Sequence, residues 1–161
     1  MAKIERKYMA HFINATPGTE ADSYVRLGKD LEEYSVEMSA EVEKKKNILG
    51  EESINISGYE RSGSVEPYYA DKDDPLFTWL QGIVDNGKVL DDVKTDVVEV
   101  HMWGEASPAS TYEAYKETAY VEVSSYGGDT TGYQIPFNVH YVGDRVKGTF
   151  NISTKKFEPA V

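Results

Sequence analysis

The sequence predicts a mainly β fold, sandwich-like or barrel-like, with one flanking α-helix and a long extended loop. Several runs alternate between apolar and polar residues, which is the period of half-buried strands. A single stretch instead repeats its apolar residues at helical spacing, between a start and a stop signal. The chain has 161 residues, of which 40% are hydrophobic, enough for one core. We therefore expect a single domain over residues 1–161.

The longest alternation is YSVEMSAEVE, residues 34–43. Its odd and even positions separate into an apolar and a polar face, and this pattern predicts a ten-residue, half-buried strand. The polar face carries Glu37, Glu41 and Glu43. The predicted apolar face is Tyr34, Val36, Met38, Ala40 and Val42.

Further strands are predicted along the chain, bringing the total to six or seven. ETAYVEVSS, YQIPFNVHY and RVKGTFNI alternate clearly, and weaker signals lie at 8–14, 54–59 and 97–103. In RVKGTFNI we expect Val146, Phe150 and Ile152 to point inward. YMAHFI and VVEVHMW are apolar on both faces, so they belong either to a sandwich core or to a surface covered by a neighbour.

One helix is predicted over about residues 74–86, in DDPLFTWLQGIVDNG. Asp74 is the expected N-cap, Pro75 suits the first helical position, and Asn86-Gly87 is the expected stop. The apolar stripe of this helix should lie on one face of the sheet.

The glycine-rich stretch SSYGGDTTGYQIPF lies between two alternating strands. A phosphate-binding loop would be followed by a helix, whereas here a strand follows. We therefore expect a hairpin turn at Gly127, Gly128 and Asp129.

Residues 44–72 form a less regular segment, rich in glycine, serine and charge. We interpret it as a long excursion that contains a short strand. Excursions of this length in compact domains are usually functional or mobile.

Composition and spacing argue against several classes of function. The net charge of −11 disfavours nucleic-acid binding, and the absence of cysteine excludes disulfides and thiolate chemistry. The histidines His11, His101 and His140 are scattered, and no nucleophile motif is present. We therefore predict no catalytic residue, no metal site and no cofactor. The sequence has no run long enough to insert in a membrane and no secretory signal, so we expect a cytoplasmic protein.

Four segments, in this order, resemble the major tail tube proteins of long-tailed, siphovirus-like bacteriophages. They are YVRLGKDLEEYSVEM, KKKNILGEESINISGY, PYYADKDDPLFTWLQGI and SSYGGDTTGYQIPFNVHYVGDRVKGTF, and the resemblance covers about residues 8–157. It rests on the ordered set, since none of the segments is a catalytic signature. A non-contractile tail, the inner tube of a contractile particle and, more distantly, a type VI secretion tube all stay open.

The resemblance implies a structural subunit that forms hexameric rings, which stack into the tube through which DNA is ejected into the host. Its partners would be further copies of itself and the tail tip, tape measure and tail terminator proteins. DNA would pass through without specific binding. The resemblance also implies a location in the virion tail, after assembly in the cytoplasm of the bacterial host.

Two sets of residues gain a role from this resemblance. The excursion would contact neighbouring subunits or rings through Lys44, Lys45, Lys46, Glu51, Glu52 and Arg61. The face with Glu37, Glu41 and Glu43 would either line the channel, where acidic groups keep DNA from adhering, or form the solvated outside of the tube.

A monomeric β-sandwich module that binds carbohydrate or peptide is the alternative. Tyrosines could then form an aromatic platform. The candidates are Tyr68, Tyr69, Tyr112 and Tyr115.

Overall fold

A computed structural model describes residues 2–18, 23–28 and 33–160 of the chain and shows a mainly β molecule. Within these residues there is one α-helix, α1 (Pro75–Asn86), and two short 3₁₀ turns, Arg6–Tyr8 and Leu90–Val93. The strands are β1 (Met9–Asn14), β2 (Tyr24–Leu27), β3 (Val36–Glu37), β4 (Ala40–Lys46), β5 (Glu52–Tyr59), β6 (Ser62–Val65), β7 (Lys94–His101), β8 (Thr111–Val123), β9 (Gly127–Asp129), β10 (Gly132–Gln134), β11 (Phe137–Asn151) and β12 (Lys156–Pro159).

The main sheet is antiparallel and curls into a half-barrel. Its strand order is β2-β1-β7-β8-β11-β6-β3, and β12 pairs with the far end of β11. Two hairpins stand outside this sheet, β4 with β5 and β9 with β10. The predicted fold class, mainly β with one helix, is confirmed.

The larger core lies on the sheet face that α1 covers, called here the helix face. Leu76 and Leu80 of α1 are fully buried there, against Ile13 of β1 and Val97 of β7. The rest of this core comes from β8, β11 and the loop before β11, including Ala119, Val121, Ile135, Phe137, Val139 and Tyr141. The alternation predicted for these two strands is therefore confirmed.

A second core lies on the opposite face of the sheet. Phe12 packs on Phe150 with ring centroids 4.7 Å apart, and Tyr24 meets Phe150 edge-on. Ala10, Val98 and Val100 complete it from β1 and β7. Both faces of β1 and β7 are thus buried within this chain, which resolves their two-sided apolar pattern as core.

The ends of α1 follow the sequence signals. The Asp74 carboxylate accepts a hydrogen bond from the Leu76 amide at 3.0 Å, and Pro75 is the first helical residue. At the other end Gly87 adopts φ 58, the left-handed conformation of a glycine C-cap. The predicted helix is confirmed.

The half-buried strand predicted over residues 34–43 is wrong. The chain pairs with β6 only at Val36 and Glu37, and then enters a separate hairpin at Ala40. Ser39, with φ 24, lies at the break. Tyr34 is buried, but Met38 is about half exposed. An alternating pattern predicts an apolar face, but it does not specify which element covers that face. In the described chain, no element covers the second half of the apolar face predicted over residues 34–43.

The two strands predicted on either side of residue 143 are one long strand, β11. A bulge between Val142 and Val146 shifts its register against β8. Phe150 points inward as predicted, but Val146 is about half exposed, which corrects its assignment to the core.

Candidate assembly surfaces

The hairpin formed by β4 and β5 is the most exposed regular structure in the described chain. Every residue of β4 is exposed, and so is every residue of β5 except Gly58. An isolated two-stranded hairpin is only marginally stable in water, because it buries little of its surface. This hairpin therefore has the properties of an element that is completed by a neighbour.

One face of the hairpin is apolar although solvent reaches it. Val42 pairs with Ile56, and Lys44 pairs with Ile54, so these side chains share a face. The three aliphatic side chains are 51 to 65% exposed. Burying an aliphatic side chain of this size contributes about 1.5–3 kcal/mol. This uncovered face is the strongest physical indication of an interface.

The opposite face of the hairpin is polar and carries Glu41 and Glu43. Ser57 donates a hydrogen bond to Glu41 at 3.2 Å, and Lys45 lies 3.4 Å from the Glu43 carboxylate. Glu37 is not part of this face, because it lies on β3 at the edge of the main sheet. There it lines an open pocket with Glu33 and other residues. The proposed acidic face is thus divided between two elements.

The residues of the excursion that were predicted to contact neighbouring subunits also lie in two different places. Lys44, Lys45 and Lys46 end β4, whereas Glu52 begins β5 and Glu51 directly precedes it, and all five are exposed near the hairpin tip. Arg61 is instead half-buried at the base of the hairpin. Its guanidinium contacts the Glu117 carboxylate and lies 5.7 Å from the centre of the Tyr141 ring. Arg61 is therefore engaged within its own chain.

The tip of the hairpin holds two aliphatic side chains in solvent. Ile48 is fully exposed and Leu49 is 78% exposed. The turn itself is ordered by Asn47, whose side-chain oxygen accepts hydrogen bonds from the amides of Leu49 and Glu51 at 2.9 and 3.0 Å. Gly50 completes the turn at φ 82, a conformation that favours glycine.

An apolar groove lies between the C-terminal end of α1, the 3₁₀ turn Leu90–Val93 and β8. It encloses about 480 Å³. Val89, Leu90 and Tyr126 contribute to its wall and are 64%, 81% and 65% exposed. The exposed carboxylates Asp85, Asp91 and Asp92 adjoin lining residues in the chain. Sequence reasoning missed this groove because its walls come from segments far apart in the chain.

A buried charge network lies on the helix face, on strands β1, β7, β8 and β11. Glu99 accepts hydrogen bonds from ring nitrogens of His11 at 3.2 Å and His101 at 2.8 Å, and it pairs with Arg145. Burial alone would raise the pKa of Glu99, but the two histidine hydrogen bonds and the Arg145 charge hold that pKa well below its usual range.

A second carboxylate belongs to the same network. Glu117 is 2% exposed and pairs with Arg61 and, at 3.3 Å, with the Nε of Arg145. Arg145 belongs to the β11 bulge, which brings it opposite Glu117. Burial, and then the charge of Arg145, lower the pKa of Arg61. The charges are compensated inside the chain, so the arrangement fits a structural role.

The sequence signal for this network was a carboxylate between inward-facing residues of a strand, such as Glu99 in VVEVHMW.

Two tyrosines complete the buried network. The hydroxyls of Tyr34 and Tyr141 lie 2.6 Å apart, and burial raises the pKa of Tyr34 to about 12. Gly63 lies beneath Tyr34, where a Cβ atom would be 2.6 Å from the ring carbon Cζ.

The glycine-rich stretch forms a small hairpin of its own. Gly127, Gly128 and Asp129 are its first strand, β9, and pair with β10. The turn lies one step later, at Thr130 and Thr131, which corrects the predicted turn position. The Asp129 side chain accepts a hydrogen bond from the Thr131 amide at 2.8 Å and thereby fixes this turn.

The four tyrosines of the alternative binding module do not form one platform. Tyr112 packs toward the core of the opposite face, whereas Tyr115 lies on the helix face over the Arg145 guanidinium. Tyr68 is half-buried, donates a hydrogen bond to Asp74 at 2.7 Å and meets Phe137 edge-on. The backbone of Tyr69 forms an isolated antiparallel β-bridge with Gln134.

Over the described ranges, no group of three or more histidine, aspartate or glutamate side chains is arranged to hold a metal ion. In the same part of the chain, no helix has the length and apolar character needed to cross a membrane.

Comparison with known proteins gives a fold likeness. No protein-family model matches the chain, and no curated protein matches its sequence. Its fold is similar to that of the sheath/tube terminator of PVC, an extracellular contractile injection system, in the extended state. The TM-score is 0.54 at 10% sequence identity, over 91% of this chain and 97% of that chain. At this identity the likeness concerns the fold alone.

Proposed function

We propose that this chain is a structural subunit of a phage tail or a related tail-like particle, in which copies form hexameric rings that stack into a tube. The observation that carries the proposal is the hairpin of β4 and β5, which presents an uncovered apolar face on a tail-related fold. In a ring, a neighbouring copy would bury Val42, Ile54 and Ile56, and the hairpin would gain the partner it lacks.

The role in the particle is to form a conduit for DNA, with no reaction and no cofactor. The partners are other copies of the chain and the proteins that begin, measure and terminate the tail, and the location is the virion tail after assembly in the host cytoplasm. The acidic balance of −11 per chain, repeated around each ring, supports passage of DNA without adhesion.

A tail terminator is the second candidate, and the fold likeness to a sheath/tube terminator favours it. A terminator caps a tube, whereas a tube subunit extends it. Both candidates use a ring, and they differ in whether rings stack.

Electron microscopy of the purified protein over a range of concentrations tests the proposal. Long hollow tubes are expected for a tube subunit, and single rings that do not stack are expected for a terminator. A monomer that persists at every concentration, and after seeding with tail tips, would contradict both and favour the monomeric binding module.

The lumen hypothesis has its own test. We propose that Glu37, Glu41 and Glu43 face the channel, so replacing all three with lysine should slow or block DNA ejection while tubes still form. The measurement is the ejection of DNA from particles assembled with the variant. The matched control replaces Glu5, Glu105 and Glu158, three other exposed carboxylates, with lysine. Normal ejection from the first variant would show that these residues lie outside the channel.

A further inference from the structure

We propose that His101 and Arg145 are alternative positive partners of Glu99, and that protonation of His101 releases Arg145 from the buried network into solvent. The fold therefore holds Arg145 inside near neutral pH and presents it at the surface in mildly acidic solution. The exchange takes place within one chain, so it goes beyond the proposed function and does not depend on it.

The two groups share one carboxylate oxygen. The Nε2 atom of His101 lies 2.8 Å from Oε2 of Glu99, and Nη2 of Arg145 donates to the same Oε2. Since the ionised carboxylate only accepts hydrogen bonds, Nε2 of His101 carries the hydrogen of this bond, and an added proton goes to Nδ1. Protonation therefore keeps the hydrogen bond but brings two full positive charges to one oxygen.

The charges of the network balance in both states. In the structure, two arginines compensate two carboxylates, Glu99 and Glu117. A charged His101 adds one positive charge, and the release of Arg145 removes one. Glu99 then keeps His101 as its partner, and Glu117 keeps Arg61. Glu99 stays ionised throughout, because its neighbours hold its pKa well below its usual range. An unbalanced charge in a buried site is costly, so the exchange is the route by which the network accepts the proton.

His101 is the histidine of the network that is placed to take up the proton. Its side chain is 17% exposed, whereas that of His11, on the other oxygen of Glu99, is 3% exposed. The ring of His101 stacks on the Trp103 indole, with centroids 4.4 Å apart and planes at 17°, and the Tyr115 ring lies 5.2 Å away. Aromatic faces attract a cation, so this stack stabilises the charged imidazole.

Two opposite charges lie near His101 at the surface. Glu113 is opposite His101 in the register of β7 and β8, and Lys147 lies 3.6 Å from the Glu113 carboxylate. Both side chains are at least half exposed, so water screens them and their effects on His101 oppose one another.

Two more titratable groups face the network from the inside. Tyr34 meets the His11 ring edge-on at 4.9 Å and stays neutral, since burial raises its pKa to about 12. Asp144, in the β11 bulge, adds a negative charge near Arg61. That charge favours the arginine that stays behind.

Arg145 is the member of the network that is positioned to leave. Its side chain is 36% exposed, and it belongs to the β11 bulge, where the register with β8 skips residues 143–145. On leaving, Arg145 loses the contact of its Nε with Glu117 at 3.3 Å and its place 4.2 Å over the Tyr115 ring. Rotation of one side chain is sufficient, so the ladder between β8 and β11 stays intact.

NMR of the arginine side chains tests the exchange. Protection of the Arg145 Nε–H against exchange with water, relative to free arginine at the same pH, is measured at about pH 7.5 and about pH 5.5, because histidine gains its charge in this range. In the wild type we expect the protection to fall about tenfold or more at the lower pH, since an opened ion pair exposes this hydrogen. His101→Gln should keep the protection at both pH values, because the glutamine amide can donate to Glu99 but takes up no proton.

His140→Gln is the matched control. His140 also lies beside a carboxylate, that of Glu122 at 2.9 Å, but both side chains are exposed and lie outside the network. This variant should lose the protection of Arg145 at the lower pH as the wild type does. Constant protection in the wild type would overturn the exchange, and an equal loss in His101→Gln would overturn the role of His101.

The fluorescence of Trp103 gives a second readout in a protein whose network is unchanged. The chain has two tryptophans, so Trp79→Phe leaves Trp103 as the single one. A charged imidazole in contact with an indole quenches its emission, so the Trp103 emission should fall over the same pH range as the protection of Arg145. Adding His101→Gln should abolish this change. Emission that is constant over the range, or that falls equally without His101, would contradict a charged imidazole in the stack.

Discussion

Glu117 has the least solvent exposure of the charged side chains that the structure describes. It is held between Arg61 and Arg145, which come from different elements, so its ion pairs connect the base of the hairpin to the β11 bulge. Removing one member of a buried ion pair leaves the other charge without compensation in a poorly hydrated site.

We therefore expect Glu117→Gln to lower the free energy of unfolding by about 3 kcal/mol. Urea denaturation followed by fluorescence measures it. Glu122→Gln is the matched control, because Glu122 lies on the same strand and pairs with His140 at 2.9 Å, but both side chains are exposed. That control should change stability by less than about 0.5 kcal/mol. Equal effects of the two variants would contradict a structural role for the buried pair.

The lowered pKa of Glu99 makes the stability of the fold depend on pH. Its pKa in the folded chain is lower than the ordinary value of 4.5, so its stabilising contribution is complete above about pH 4.5. As the pH falls below that value, the unfolded chain takes up a proton before the folded chain does, and the contribution is lost. The difference in unfolding free energy between the wild type and Glu99→Gln should therefore shrink steadily between about pH 5 and pH 3. A difference that stays constant over this range would contradict the assignment.

At the scale of elements, β12 depends on a glycine in the neighbouring strand. Gly148 pairs with Pro159, and a Cβ atom there would clash with the Glu158 carbonyl oxygen and lie 2.6 Å from the Phe157 ring. Because the main obstacle is backbone, the strand itself would have to move.

Gly148→Ala should accordingly destabilise the chain by about 1–3 kcal/mol and loosen β12. Thermal unfolding measures the stability, and hydrogen exchange of the β12 amides measures the loosening. Gly58→Ala is the control, since a Cβ atom added to that strand glycine would have no neighbouring atom within 4 Å. If the two alanine variants were equally stable, close approach of β11 and β12 would not explain this glycine.

The hairpin of β4 and β5 shows where element-level prediction from the sequence stops. The alternation of residues 34–43 indicates extended structure with an apolar face, and extended structure is present at both ends of the stretch. The break at Ser39 separates a short pairing on the main sheet from a free hairpin. Whether an apolar face is covered depends on the position of distant elements, which periodicity does not contain.

For the whole molecule, the hairpin is separable from the fold. Its strands pair with one another and contribute no residue to either core. Ala40 and Tyr59 are partners in the register, so the chain can be rejoined at that point by a short turn.

Replacing residues 42–57 with a two-residue Asn-Gly turn should leave the thermal unfolding temperature within a few degrees of the wild type, because no core contact is lost. The same variant should lose assembly into rings or tubes, as seen by electron microscopy. The control is a variant with Ile4→Asp, an exposed aliphatic residue outside the hairpin, which should assemble normally. Tubes formed without the hairpin would contradict its role as an interface.

The sequence by itself determined the buried face of β8 and of the first part of β11, the helix with its Asp74 and Gly87 caps, and the absence of cysteine chemistry. These follow from local propensity and from periodicity, which neighbouring residues encode. Only the tertiary structure decided that β1 and β7 are buried on both faces, that Arg61 is turned inward onto Glu117, and that Glu37 is separated from Glu41 and Glu43. It also brought the ends of α1 and β8 together as a groove. Each of these depends on which distant segments meet, and a carboxylate or an apolar side chain has the same local signature whether it meets water, a partner in its own chain or a second copy.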